Sequence, residues 1–313
     1  MEKILITGGC GFIGTKLVKE LLKQDCSITV VDTKWFGSFL PKSKRLKILT
    51  KDIRNLTEND FNGIQTVFHL ASISNDPCSD LSPKLAWEVG PLATFNILKI
   101  CKKKKVKNFI YASSGSVYGV SKKKKVTENT KLLPISDYNK QKMITEKVIE
   151  TFNDFFRTVV VRPATVCGIS PRLRLDLSVN MLTYQAAKNR LITVFGGKQI
   201  RPNIHIDDMV SLYMFLHKKK KIKGIFNAGF ENLSILDIAK KIQDKIDCKI
   251  KILKSNDPRS YRLDSSKIIK KGFMPLKGVE DAILEGKDLF SKKDFNISNK
   301  NLNLKQMLKL NIK

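Results

Sequence analysis

Tyr138 and Lys142 stand four residues apart in the segment Tyr138-Asn139-Lys140-Gln141-Lys142. The segment begins a helix, and residues at that spacing share a helix face. An ammonium beside a phenol favours the phenolate, drawing its pKa down from about 10 toward the range where it can take a proton. Upstream, Tyr111-Ala112-Ser113-Ser114-Gly115-Ser116-Val117-Tyr118-Gly119 closes a strand with hydroxyls. A phenol, an amine and the hydroxyls of Ser113 and Ser114 gathered at one strand end suit the removal of a proton from a substrate hydroxyl. On an isolated helix the same pair would be an ordinary surface tyrosine and lysine, so the elements around it decide.

The N-terminal stretch Lys3-Ile4-Leu5-Ile6-Thr7-Gly8-Gly9-Cys10-Gly11-Phe12-Ile13-Gly14 reads as an apolar strand, a glycine turn and the start of a helix. Gly8 allows the tight turn, Gly11 the approach of backbone to a pyrophosphate, and Gly14 the packing of helix on strand. Phe12 and Ile13 open the helix, whose free N–H groups and positive dipole end suit a phosphate. The next strand ends at Asp32, about 20 residues beyond the turn, where a carboxylate accepts hydrogen bonds from the adenosine ribose. It would repel a ribose phosphate, which favours NAD over NADP. Strands at 46–49, 66–70 and 108–112 alternate with helical segments, including a long helix over 84–104, and predict an α/β fold with a doubly wound parallel sheet. Ligands of such sheets bind beyond the carboxyl ends of the strands, where Gly8, Asp32, Asp52, Ala71 and Ser113 gather.

With 58 Lys+Arg against 29 Asp+Glu in 313 residues, the net charge of +29 is large enough to raise nucleic acid as a partner. The lysine runs at 102–105, 122–125 and 218–221 lack the interleaved aromatics of a stacking platform, so they read as solvated surface that draws in anionic substrates. The six cysteines show no CxxC and no Cys/His ligand spacing, as expected of free buried thiols in a reducing compartment. No signal-peptide pattern and no membrane-length apolar run is present, so the expectation is a soluble, cytoplasmic protein without membrane insertion. His205 has no companion ligand at a metal spacing and reads as a structural hydrogen-bonding residue; no metal site is expected. Beyond residue 164, Arg172 and Arg174 are candidate diphosphate ligands, because a guanidinium fork matches phosphate oxygens. Asn180 lies on the helix that follows. The stretch from 292 onward reads either as a weakly ordered tail or as a terminal amphipathic helix carrying Leu302, Leu304, Met307, Leu308 and Leu310.

Nearly the whole chain resembles the extended short-chain dehydrogenase/reductase family, in the branch acting on nucleotide sugars. The resemblance rests on Thr7 to Gly14, Asp52-Ile53, His69-Leu70-Ala71-Ser72, Ser113-Ser114, Tyr138 with Lys142, Arg162-Pro163, and Arg201 with His205-Ile206-Asp207-Asp208. It implies a Rossmann-like NAD-binding part over 1–170 and 205–228, and a smaller C-terminal α/β substrate-binding part over 171–204 and 229–313. It implies that Tyr138 removes the hydroxyl proton, that Ser114 hydrogen-bonds the same oxygen, and that Lys142 holds the nicotinamide ribose. Asp52, Ile53, Leu70, Ala71, Ser72, Ser113 and Pro163 join the cofactor site. Ser74, Asn75, Thr165, Asn180, Arg201 and Arg259 join Arg172 and Arg174 at the substrate, and the helices over 84–104 and 137–150 resemble those that pair in a homodimer.

Three departures from the family reshape the expectation. Gly115 and Ser116 replace the acids that dehydrating members place after the catalytic hydroxyl, which disfavours water elimination. Gly90-Pro91 replaces an asparagine that touches the cofactor, and Thr165 and Cys167 replace an Asn and a Tyr in the sugar pocket. The surroundings of Ser74-Asn75-Asp76-Pro77 and of 162–176 are similar to the GDP-heptose 4-dehydrogenases of surface polysaccharide pathways. The expected activity is therefore NAD-dependent oxidation of the fourth carbon of a nucleotide sugar, with a 4-epimerase as the alternative and a non-catalytic NAD-binding scaffold as the reading from another class.

Overall fold

The computed structural model describes residues 1–120, 125–254 and 260–312. In chain order the first strands are β1 (Glu2–Thr7), β2 (Cys26–Asp32), β3 (Leu46–Thr50), β4 (Thr66–His69), β5 (Asn108–Ala112) and β6 (Arg157–Pro163). They are followed by β7 (Thr165–Cys167), β8 (Leu191–Phe195), β9 (Ile200–His205), β10 (Gly224–Ala228), β11 (Glu231–Ser234) and β12 (Lys249–Leu253). The first helices are α1 (Phe12–Leu21), α2 (Asp76–Leu81), α3 (Pro83–Trp87), α4 (Ala93–Lys103) and α5 (Asp137–Glu150). The later ones are α6 (Ser178–Asn189), α7 (Ile206–Lys218), α8 (Ile235–Gln243), α9 (Ser266–Ile269), α10 (Val279–Phe290) and α11 (Asn303–Lys309).

Seven strands form one parallel sheet in the order β10-β6-β5-β4-β1-β2-β3. The continuous apolar run of β1 is what a strand covered on both faces requires, and Ile4, Leu5 and Ile6 are fully buried. Side chains alternate across the sheet, so Ile4 and Ile6 join Leu17, Val18 and Leu21 of α1 with Met209 and Leu212 of α7. Leu5 joins the opposite core, with Ile97 and Leu98 of α4 and Ile149 of α5. Beyond β6 the chain leaves this sheet except at β10: β7 pairs with β9, β9 with β11, and β8 with β12. A third core of α6, α8, α10 and β8 residues, among them Val179, Ile238, Ile283 and Ile192, holds this smaller part together.

One element differs from expectation, and another takes one of two alternatives. The single helix over 84–104 is interrupted by a π-helical turn, Glu88–Leu92, between α3 and α4. Pro91 supplies no N–H there, and Gly90 packs so closely on the Gln141 amide of α5 that any side chain would collide with it. The C-terminal stretch takes the helical alternative and docks: Met307 is buried, and Gln306 Nε2 donates to the Trp35 carbonyl at 2.7 Å. The six cysteines are free and buried. Lysine runs close α4 and α7, while Lys122, Lys123 and Lys124 lie outside the described residues. Among the described residues, no helix is long and apolar enough to cross a membrane.

Candidate active site

A cavity of about 560 Å³ opens at the carboxyl ends of β1, β2, β4, β5 and β6. Every site residue named from the sequence lines it, with two exceptions. Asn180 is set back from it, and Arg259 lies outside the described residues.

One end is a cradle for a dinucleotide. Gly8 has φ +74°, and a Cβ there would stand 2.6 Å from the Ala71 amide nitrogen. Gly11 caps α1 with no side-chain bond, leaving the amides of Phe12 and Ile13 uncapped by any side chain at the cavity wall. A Cβ on Gly14 would run into the Gly8 carbonyl oxygen, so the helix can seat on the turn only with glycine there. Asp32 accepts from the Cys10 amide at 3.0 Å and the Lys34 amide at 2.7 Å. Burial raises the Asp32 pKa, and those two donors oppose the rise. An uncapped helix end, a glycine floor and a carboxylate held by backbone donors fit NAD. Asp52 caps the turn at Ile53–Asn55 and pairs with Arg54 at 2.8 Å beside the same cavity.

The other end gathers Tyr138, Ser114 and Lys142. Ser136 caps α5, accepting from the Asn139 amide and donating to Asp76, and so aims Tyr138 and Lys142 from the first turns of the helix. The Ser114 hydroxyl faces the Tyr138 phenol and favours its anion. Burial nevertheless keeps the phenol above its ordinary value, and the charge that opposes burial is Arg174. This corrects the expectation for Lys142: its Nζ donates to the Ala112 carbonyl at 2.7 Å, and burial lowers its own pKa to about 7. A helical spacing brings two side chains to one face but does not fix where a four-carbon stem ends.

Ser113 lines the cavity, and its hydroxyl donates to Glu146. Glu146 is locked to Arg162, Nη2 to Oε2 at 2.6 Å, with both side chains about 3% exposed. Arg162 also donates to the Tyr118 hydroxyl, which donates to Asn227. This buried network fixes the end of β5 beneath Ser114. Glu146 escaped the sequence reading, although it stands four residues after Lys142 on the same helix.

On the substrate side, Thr165, Arg201 and Tyr261 line the wall. Asn75 caps α2 and donates to Asp176, while Ser74 accepts from Asn303. Arg174 differs from expectation because its guanidinium is taken by Asp176, at 2.8 and 2.9 Å. Asn180 is also corrected: its amide bonds the Gly168 N–H and carbonyl and the Arg174 carbonyl, stapling the loop instead of meeting substrate. Arg172 rests on the Phe36 ring and donates to Asn303. His205 accepts from the Asp207 amide, as a structural histidine would. Asp207 and Glu285 also approach it, all within 4.8 Å; Glu285 lies far along the chain, which hid the grouping from the sequence. Lys277 already pairs with both carboxylates, at 2.8 and 2.7 Å, and Lys16 pairs with Asp207 as well, so two cations offset the two negative charges.

The chain is 33% identical over 266 residues to an uncharacterized UDP-glucose epimerase, YtcB, of Bacillus subtilis, covering 77% of this chain and 81% of that one. It is 27% identical over 294 residues to a UDP-glucose 4-epimerase of Lactobacillus helveticus, covering 85% and 89%. Among solved structures, a UDP-glucuronic acid 4-epimerase from Bacillus cereus, in complex with UDP-glucuronic acid and NAD, superposes with a TM-score of 0.81. That pair shares 28% identity and covers 92% of this chain and 98% of the other. Residues 4–229 match the NAD dependent epimerase/dehydratase family. The chain belongs to that family, and NAD is its cofactor.

Proposed function

We propose that this protein is a nucleotide-sugar 4-epimerase. The observation that carries the reading is the single cavity in which the NAD cradle is continuous with Tyr138 and Ser114. Tyr138 takes the proton from the sugar's 4-hydroxyl and returns it, and Ser114 hydrogen-bonds the same oxygen through both transfers. Bound NAD supplies the hydride acceptor and donor. Lys142 of α5, whose Nζ reaches the Ala112 carbonyl at the end of β5, orients the nicotinamide ribose. Gly115 and Ser116 offer no carboxylate beside Ser114 for water elimination. The 4-dehydrogenase outcome, with a GDP-heptose as substrate, has less support, because the relatives named above carry epimerase names. The same reading includes a homodimer through α4 and α5, where Phe95, Ile144 and, just before α4, Leu92 are exposed.

The test is incubation with UDP-, GDP-, CDP- and dTDP-sugars, followed by mass spectrometry and absorbance at the NADH band. A new stereoisomer of unchanged mass supports the epimerase. Loss of two hydrogens with accumulating NADH means a dehydrogenase instead. Tyr138→Phe is expected to lower turnover by about 10²- to 10⁴-fold while leaving NAD binding intact. Unchanged turnover would remove Tyr138 from the chemistry.

A further inference from the structure

Arg172 holds a buried cation that the proposed reaction does not use. Its side chain lies 4.1 Å from the Phe36 ring centroid, and its Nη2 donates to Asn303 Oδ1 at 2.5 Å. The residue is 3% exposed, and its Nε and Nη1 are buried without a partner. A guanidinium whose Nε and Nη1 hydrogens are unmatched is unfavourable until an acceptor arrives, and an anionic oxygen is the acceptor it suits best. Arg172 lines the cavity, so such an acceptor can reach it.

The loop's anchors place this cation at the dinucleotide end. Ser170 Oγ donates to the carbonyl of Phe12, the first residue of α1, at 2.8 Å. Lys16 of the same helix donates to the Ile169 carbonyl at 3.2 Å. Phe36 follows Asp32 at the end of β2, and the Asp32 carboxylate favours the Arg172 charge. Arg174, two residues along, is already neutralised by Asp176.

We propose that Arg172 binds the diphosphate of NAD, facing the uncapped amides of α1 from across the cavity, and that Asn303 holds it there. The C-terminal helix α11 is thereby part of the cofactor site. It is tied to the cavity wall elsewhere too, through Gln306 to Trp35 and Asn303 Nδ2 to Ser74. This inference rests on NAD as the cofactor and not on the sugar or on the epimerase outcome.

The test uses the full chain and three variants. Arg172→Met keeps an apolar stem on Phe36 and removes the donors. Affinities for NAD, ADP and UDP are measured by titration calorimetry, and nucleotide retained through gel filtration is quantified by chromatography. The expected result is a rise of about ten- to hundred-fold in the Kd for both NAD and ADP, with the UDP value unchanged. Arg172→Lys, keeping the charge but not the planar donors, is expected to recover part of the loss. Asn303→Ala is expected to weaken NAD in the same direction and by less. Unchanged NAD affinity in a folded Arg172→Met protein overturns the proposal, as does weakened UDP binding with NAD unaffected, which would give Arg172 to the sugar nucleotide. If Arg172→Met fails to fold, unchanged NAD affinity in Asn303→Ala overturns it. A wild-type protein that binds NAD yet epimerises no sugar would defeat the epimerase reading and leave this one standing.

Discussion

Lys142 is an amine held at 3% exposure, and burial brings its pKa to about 7 while Glu146 pulls the other way. In the unfolded chain a lysine titrates near 10.4. Below pH 7 both states carry the proton, and the full penalty of burying it is present. As pH rises, the folded state releases its proton first, so the unfolded state binds more protons and stability increases. The cofactor-free wild type should therefore gain unfolding free energy relative to Lys142→Met between about pH 7 and 10. Denaturant titrations of both proteins across that range check this, and a flat difference would mean that Lys142 is not buried as described. The positions of Tyr138 and Lys142 were legible because helical spacing is local. That Arg174 rather than Lys142 favours the phenolate was not, since Arg174 arrives from a loop whose course depends on Asn180 and Asp176.

The β1-turn-α1 unit was readable in full, because its steric demands fall on consecutive residues. Gly14→Ala tests those demands, since two effects of opposite sign compete there. Alanine raises helix propensity by about 1 kcal/mol. Its Cβ, however, meets the Gly8 carbonyl oxygen, a backbone atom that cannot rotate away. Overpacking of this kind costs about 1–3 kcal/mol, so net destabilisation is expected, together with weaker NAD binding as the turn is pushed into the cradle. Calorimetric melting and NAD titration measure the two effects; a more stable variant with unchanged affinity would show that the turn yields. The π-helical turn after α3 was hidden for the converse reason. Gly90 and Pro91 announce a break, but its form is set by Gln141, which packs against it from α5. Docking of α11 likewise depends on Trp35 and Ser74, which nothing in the terminal sequence specifies.

At the scale of the whole molecule, two features compete over self-association. Leu92, at the end of the π-helical turn, and Phe95 on α4 are 59% and 45% exposed, and Ile144 on the adjoining α5 is 36% exposed, while Phe155 beyond α5 is half-exposed under the Lys102 ammonium. Single exposed apolar residues are ordinary on monomers, but several on two helices packed side by side form a patch that a second copy could cover. Against this stands a net charge of +29, which makes two copies repel. Apolar burial is short-ranged and insensitive to moderate salt, whereas repulsion between exposed charges is screened by it. Light scattering should therefore report twice the 35.5 kDa chain mass, with a dimer dissociation constant that falls as salt is raised. Phe95→Glu should return the protein to one chain mass at every salt concentration, because it places a charge where the apolar contact would form. A wild-type protein that stays monomeric at high salt would remove α4 and α5 as the interface, and a dimer that survives Phe95→Glu would move it elsewhere on the surface.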